Sequence, residues 1–184
     1  MAVKRKGTAR GRGRAGRLSH VDARGRARMV DVSEKAGTVR EAVARGTLTL
    51  SREACEAVAA NRLAKGDLLA VARIAGIQAA KATASLVPLC HPIPLDHVAV
   101  DAALDRERCR IEFEARARTR ASTGVEMEAL TAVTVAGLTA YDMVKAIDRG
   151  AVLSEIRLVA KSGGRSGVYR RPGEGRTKGR IRRG

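Results

Sequence analysis

The chain has no tryptophan, one phenylalanine and two tyrosines among its 184 residues. Aromatic anchors therefore cannot fill a core, and Ala, Val, Leu and Ile, within a hydrophobic content of 45%, must pack it closely. The same scarcity counts against single-strand nucleic-acid recognition, which stacks bases on aromatic rings. Long apolar runs are missing as well. The uncharged stretch Ala129 to Tyr141 is shorter than the roughly 18–20 residues that cross a bilayer, and the N-terminus lacks the apolar segment of a secretory signal. These absences predict a cytoplasmic protein without a membrane span. Cys55, Cys90 and Cys109 are the only cysteines and form no CxxC pair, which excludes a disulfide framework and a structural zinc site and predicts reduced thiols.

What the chain has in excess is positive charge, +17 overall, and most of it lies at the ends. Met1 to Arg17 carries seven basic residues and no acid, and Arg170 to Gly184 carries seven basic residues with the single acid Glu174. Both segments mix glycine with like charges, so they repel themselves and have little to bury. The expected organisation is a basic tail over 1–17, a single domain over 18–169 and a second basic tail over 170–184. Weak tail binding to RNA or another polyanion is the alternative function this charge allows.

Between the tails, helical and extended patterns alternate. Thr38-Val39-Arg40-Glu41 and Thr123-Gly124-Val125-Glu126 both fit capping-box spacing, predicting helices that start near residues 38 and 124. Ser51 to Leu63 and Asp67 to about Ser85 are rich in Ala and Leu behind side-chain acceptors, which predicts two more helices. Pro88, Pro92 and Pro94 then end regular structure. His97 to Leu104 and Cys109 to Glu114 alternate as an antiparallel hairpin would, and Val152 to Ala160 reads as a further strand, with Ile156, Leu158 and Ala160 alternating against Glu155, Arg157 and Val159. The predicted class is α+β.

The helix from about residue 124 carries only Thr, Gly and apolar residues between Glu128 and Tyr141, so nearly every face calls for cover that a monomer of this size would struggle to supply. Asp142 and Lys145 follow at i,i+3, readable as a surface ion pair or as a partly buried acid/base pair. Glu128 and Asp142 are fourteen residues apart, which is close to four turns and roughly 21 Å along a helix. One small ligand cannot reach both on one helix, so a shared site requires a neighbouring subunit. Leu89-Cys90-His91-Pro92 places a thiol and an imidazole in a proline-fixed loop. Adjacent Cys and His are poorly spaced to chelate one tetrahedral metal, and no metal site is expected. Lys65-Gly66-Asp67 and the run Lys161 to Gly167 set cations beside flexible backbone that can face phosphate oxygens, and Arg40 adds a cation on its expected helix.

Met29-Val30-Asp31-Val32-Ser33, Lys65-Gly66-Asp67, Ala72 to Lys81, the LCHP loop, Gly124 to Leu130 and Tyr141 to Ala146 together resemble the cyclic pyranopterin monophosphate synthase family, the molybdenum cofactor biosynthesis protein C family. The likeness runs collinearly from about Leu18 to Gly167. The basic tails and the stretch Lys81 to Ser85 depart from the family pattern. The resemblance implies a ferredoxin-like α+β subunit in a homohexamer, a trimer of dimers, with the site at a subunit interface. It implies a lyase reaction that converts 3',8-cyclo-7,8-dihydroguanosine 5'-triphosphate into cyclic pyranopterin monophosphate and pyrophosphate, with no metal or organic cofactor. By motif position it implies Asp142 as acid/base and Lys145 as its proton-transfer partner. Leu89, Cys90, His91, Glu126, Met127 and Glu128 would line the pocket, and Lys65, Lys161 and Arg40 would bind the triphosphate.

Overall fold

The computed structural model describes Arg26, residues 29–34 and residues 36–174. The chain divides into two compact units, Met1–Val30 and Asp31–Gly184, and the elements that follow belong to the second. The expected basic tail over 1–17 and residues 175–184 of the other lie outside the described residues.

The elements run β1 (Thr38–Thr49), α1 (Arg52–Ala59), α2 (Leu68–Lys81), α3 (Thr83–Leu86), β2 (His97–Asp105), β3 (Arg110–Ala121), α4 (Glu126–Val144), β4 (Val152–Ser162) and β5 (Tyr169–Arg170). They build one antiparallel sheet in the order β2-β3-β1-β4-β5. Without β5, this is the βαββαβ arrangement of ferredoxin-like folds, so the α+β expectation holds.

Local chemistry explains the helix starts that the sequence marks. The Ser51 hydroxyl accepts the Ala54 N–H at 3.2 Å and the Asp67 carboxylate accepts the Ala70 N–H at 3.0 Å, each satisfying a donor with no intrahelical partner. The second helix ends at Lys81 rather than running to Ser85. Beyond it the buried Thr83 hydroxyl donates back to the Ala80 carbonyl at 3.0 Å, and α3 is a single turn before the prolines.

Two expectations are corrected. No helix begins at residue 38, because Thr38–Thr49 is a strand paired along both edges, to β3 and to β4. Its backbone groups are satisfied by those ladders, and long-range pairing outweighs the local capping pattern. The capping box at Thr123 is also unformed: Val125 holds the cap position of α4 with no side-chain hydrogen bond, and the Glu126 carboxylate instead pairs with Lys161. The hairpin forms as read, except that Cys109 stands in the turn with φ 46° and β3 starts at Arg110.

The core lies between the sheet and the helices. Ala42, Ala44 and Leu48 of β1 and Ile111, Phe113 and Ala115 of β3 are buried. Phe113 is the one phenylalanine, and in register it stands between Gly46 and Ala102, whose small size leaves room for its ring. The α2–α4 contact is closer still, since a Cβ on Gly76 would lie 2.8 Å from the Ala132 carbonyl oxygen. Such close backbone approach replaces bulky interdigitation and seats α4 tightly against α2. On the opposite face charges alternate: Arg45 faces Glu114 across β1 and β3, bonded at 2.7 Å, and Glu41 faces Arg118.

β4 departs from simple alternation. Its register with β1 shifts between Val43 and Ala44 and again between Arg45 and Thr47, and Glu155 takes φ 54°. These irregularities re-aim the strand: Leu158 packs against the core, Ile156 is exposed, and Val159 is buried outside the core cluster, lining a cleft with Arg45 and Arg116.

Candidate active site

Helix α4 carries charged groups at both ends. At its C-terminal end the Asp142 carboxylate pairs with two ammonium groups, Lys145 at 2.6 Å and Lys65. Lys65 also donates to the Asp142 carbonyl at 3.2 Å. The Lys65 and Asp142 side chains lie 77 positions apart in sequence and meet because the turn before α2 packs beside the end of α4. The hydrogen bonds from Lys145 and Lys65 hold the Asp142 carboxyl down at about 2, and Asp142 in turn raises Lys145. Side-chain exposures of 48% for Asp142 and 53% for Lys145 make this an open ion pair in the single chain. Of the two sequence readings, the surface pair is the one found here. Lys145 is driven away from neutrality rather than toward it, because its hydrogen bond to the Asp142 carboxylate outweighs the slight desolvation that opposes it.

The N-terminal end of α4 has the opposite character. Glu128 is 4% exposed, and burial raises its carboxyl, with a further push from the charge of Glu126. Cys90 is half-buried in the proline-bounded loop, and its thiol is raised by burial and then by the nearby Glu128 charge. His91 is half-buried beside it, while Leu89 and Met127 are exposed. Glu126 pairs with Lys161 at 2.9 Å, and the same ammonium donates to the Ser166 hydroxyl at 2.7 Å.

Arg40 joins this end from strand β1, not from a helix. Its guanidinium donates to the carbonyls of Ala121 at 2.9 Å and Ser122 at 3.0 Å, tying the end of β3 to the loop that leads into α4. Arg40, Glu126 and Lys161 line one small hollow together with the backbone at Gly124 and Gly163. A cleft of about 390 Å³ lies on the charged outer face of the sheet and reaches this region through Lys161. Its Arg45 and Arg116 are already engaged by carboxylates.

The sequence-derived residues thus fall into two groups. Arg40, Glu126 and Lys161 share one hollow, and Cys90 and Glu128 lie close to one another at the same end of the helix. Lys65, Asp142 and Lys145 cluster at the other end, about 21 Å away by the helical rise. Between the two ends, α4 exposes Met127 and Leu138 and half-exposes Leu130, Thr131, Thr134 and Tyr141, a largely uncharged stripe that this chain alone leaves uncovered. The Lys65–Asp142 contact and the role of Ser166 escaped the sequence reading. No spacing rule could reveal the first, and only the serine within the Gly-rich run hinted at the second. Among the described residues no three His, Cys, Asp and Glu side chains converge to hold a metal ion, and no helix is long and apolar enough to cross a membrane.

The MoaC family model matches residues 29–164. The cyclic pyranopterin monophosphate synthase of Thermomicrobium roseum is 58% identical over 154 residues, covering 84% of this chain and 93% of that protein. The synthase of the same name from Pelotomaculum thermopropionicum is 55% identical over 157 residues, 85% of this chain and 92% of that protein. A third, from a Roseiflexus species, is 60% identical over 152 residues, 83% of this chain and 96% of that protein.

Proposed function

The chain belongs to the MoaC family, and from that premise we propose that it acts as a cyclic pyranopterin monophosphate synthase in molybdenum cofactor biosynthesis. The substrate of this reading is 3',8-cyclo-7,8-dihydroguanosine 5'-triphosphate. The products are cyclic pyranopterin monophosphate and pyrophosphate, which makes the enzyme a phosphorus-oxygen lyase. RNA binding through the basic ends gains no support from the family membership.

The observation that carries the mechanism is the division of the candidate residues between the two ends of α4. One end offers a carboxylate already ionised and cradled by two lysines. The other offers a buried carboxyl that holds its proton more tightly than an ordinary glutamate, a thiol and an imidazole. One subunit holds these about 21 Å apart, and the uncovered stripe of α4 between them suits a second copy laid antiparallel across it. In that arrangement Asp142 and Lys145 of one copy would meet Cys90, His91 and Glu128 of the other, and contact would desolvate the pair that stands open in the single chain. Desolvation opposes the charged forms of both groups, bringing a carboxyl and an ammonium closer to the proton affinities that acid/base exchange near neutrality needs. Repeated pairing into a hexamer and residence in the cytoplasm complete the reading.

Asp142 would move a proton on the purine-derived ring as it opens and rebuilds, with Lys145 as its exchange partner. Lys65, Lys161 and Arg40 would set cations against the triphosphate. Neutralising the departing pyrophosphate lowers the cost of the charge that develops on it. The test is pyrophosphate release and pterin formation from enzymatically prepared cyclo-dihydro-GTP. Asp142→Asn and Lys145→Ala should each lower turnover by about 10²–10⁴-fold with assembly intact. A correctly assembled wild-type protein without turnover on active substrate would remove the synthase reading.

A further inference from the structure

Lys161 reaches its site from near the end of β4, where its backbone is paired with Ala42 of β1 and Tyr169 of β5. β4 follows β1 through two register shifts. Just past Lys161 the chain enters a turn in which Gly163, Gly164 and Gly167 all take positive φ. Such backbone has many alternatives to lose. Ser166, which accepts from the Lys161 ammonium at 2.7 Å, sits inside that turn.

The far side of the turn is anchored by β5, which has only two residues, paired Tyr169 with Lys161 and Arg170 with Ala160. One more backbone bond follows, from Arg171 N–H to the Val159 carbonyl at 2.8 Å. A two-residue edge strand has little cooperativity of its own. What fastens it is Glu174, whose carboxylate bonds Arg45 of β1 at 2.8 Å and also Arg157 of β4. The Glu174 side chain is 12% exposed, so this is a partly desolvated, charge-assisted bridge across two strands rather than a solvated surface pair. Both guanidiniums hold the carboxyl below the usual glutamate range, Arg157 more than Arg45. Residues 165–174 lie beyond the span matched by the family model.

We infer that Glu174 is a positioning residue: by clasping Arg45 and Arg157 it closes the glycine turn, so that Ser166 and Glu126 aim the Lys161 ammonium at the substrate's phosphates. The inference rests on the proposed role of Lys161 and adds what keeps that side chain in place.

The experiment uses the full-length protein and the cyclo-dihydro-GTP assay. Glu174→Gln keeps the shape of the side chain and removes its charge. The expected result is a rise of about fivefold in KM, the readout of weakened triphosphate binding, with a smaller fall in kcat as the departing pyrophosphate loses part of its neutralising charge. Amide hydrogen exchange at residues 159–171 should quicken at the same time. In a Lys161→Ala background, which itself raises KM, Glu174→Gln should add nothing further, since the clasp acts through that lysine. Faster exchange with unchanged KM would make the clasp purely structural and overturn the inference. So would unchanged exchange, or full additivity in the double variant. If Lys161→Ala alone leaves KM unaltered, the assignment of Lys161 to the triphosphate fails and the positioning step falls with it. The exchange rates would then still report separately whether the clasp forms.

Discussion

The two ends of α4 carry carboxylates in opposite electrostatic settings. Asp142 stands in the open between two ammonium groups and is held down at about 2. Glu128 is enclosed by protein, and burial pushes its carboxyl up. One helix therefore offers a base that stays ionised and an acid that resists ionising. Acid/base sites gain their division of labour by separating the proton affinities of similar groups. Here a single helix separates them by environment, and it also separates them in space. In the proposed reading each end is half of a chemical pair, and one chain on its own holds the halves about 21 Å apart.

The strongest way to break this comparison is to mix damaged chains. Asp142→Asn and Glu128→Gln should each be nearly inactive alone. Co-expressed in equal amounts, they should recover about a quarter of wild-type turnover, because random two-fold pairing makes half the pairs mixed and each mixed pair rebuilds one of its two sites. A mixture as inactive as its components would overturn the site shared between two copies. The next effect concerns the exposed end. Lys65→Ala removes one of the two donors to Asp142, so the Asp142 carboxyl should climb from about 2 toward 3.8, its unpaired value. A carboxyl with a depressed pKa keeps its pairing above that pKa and loses it as pH falls through it. The variant should therefore lose the Asp142–Lys145 pair at a higher pH than wild type, as read by NMR titration of the Asp142 carboxyl carbon. An unmoved titration would mean that Lys65 only decorates the site.

The smallest effect sharpens the buried end. Glu128 binds its proton more tightly folded than unfolded, so its contribution to stability diminishes as pH rises from the ordinary glutamate value of 4.5 through the raised one. Glu128→Gln should melt a few degrees above wild type at pH 8, and the gap should close toward pH 4. A lower melting temperature at pH 8 would show that the carboxylate is satisfied by partners where it lies.

Legibility in the sequence followed the range of the interactions. Ser51 and Asp67 mark their helices because a cap is made within three residues, and the β2–β3 hairpin shows itself by alternation across one turn. β1 stayed hidden because its inward positions Ala42 and Ala44 are weak strand formers, while Thr38 to Glu41 mimics a cap. Its identity as a strand comes from partners as far away as Ala121 and Lys161. Glu126 misled for the same reason, since the spacing that would cap a helix serves a lysine on another strand. At the site, the fourteen-residue interval on α4 correctly implied two separated groups. Lys65 gave no sign of its bond to Asp142, and Arg40 and Lys161 were legible only as cations suited to an anion, a weak local signal that the likeness of motif sharpened to the triphosphate.

The close seating of α4 at Gly76 makes the helix a ruler as well as a wall. If two copies cross with their α4 axes antiparallel, the symmetry axis falls near Val135, midway between Glu128 and Asp142. Each pair of subunits then carries two equivalent reaction centres about 21 Å apart. Their separation is written as a count of residues, and so is their phase. One residue inserted into α4 would turn Asp142 by about 100° away from its counterpart, whereas four would carry it about 6 Å along the axis and nearly restore its direction. Lineages of this enzyme should therefore tolerate insertions in the surrounding loops far more readily than any change in the length of this helix.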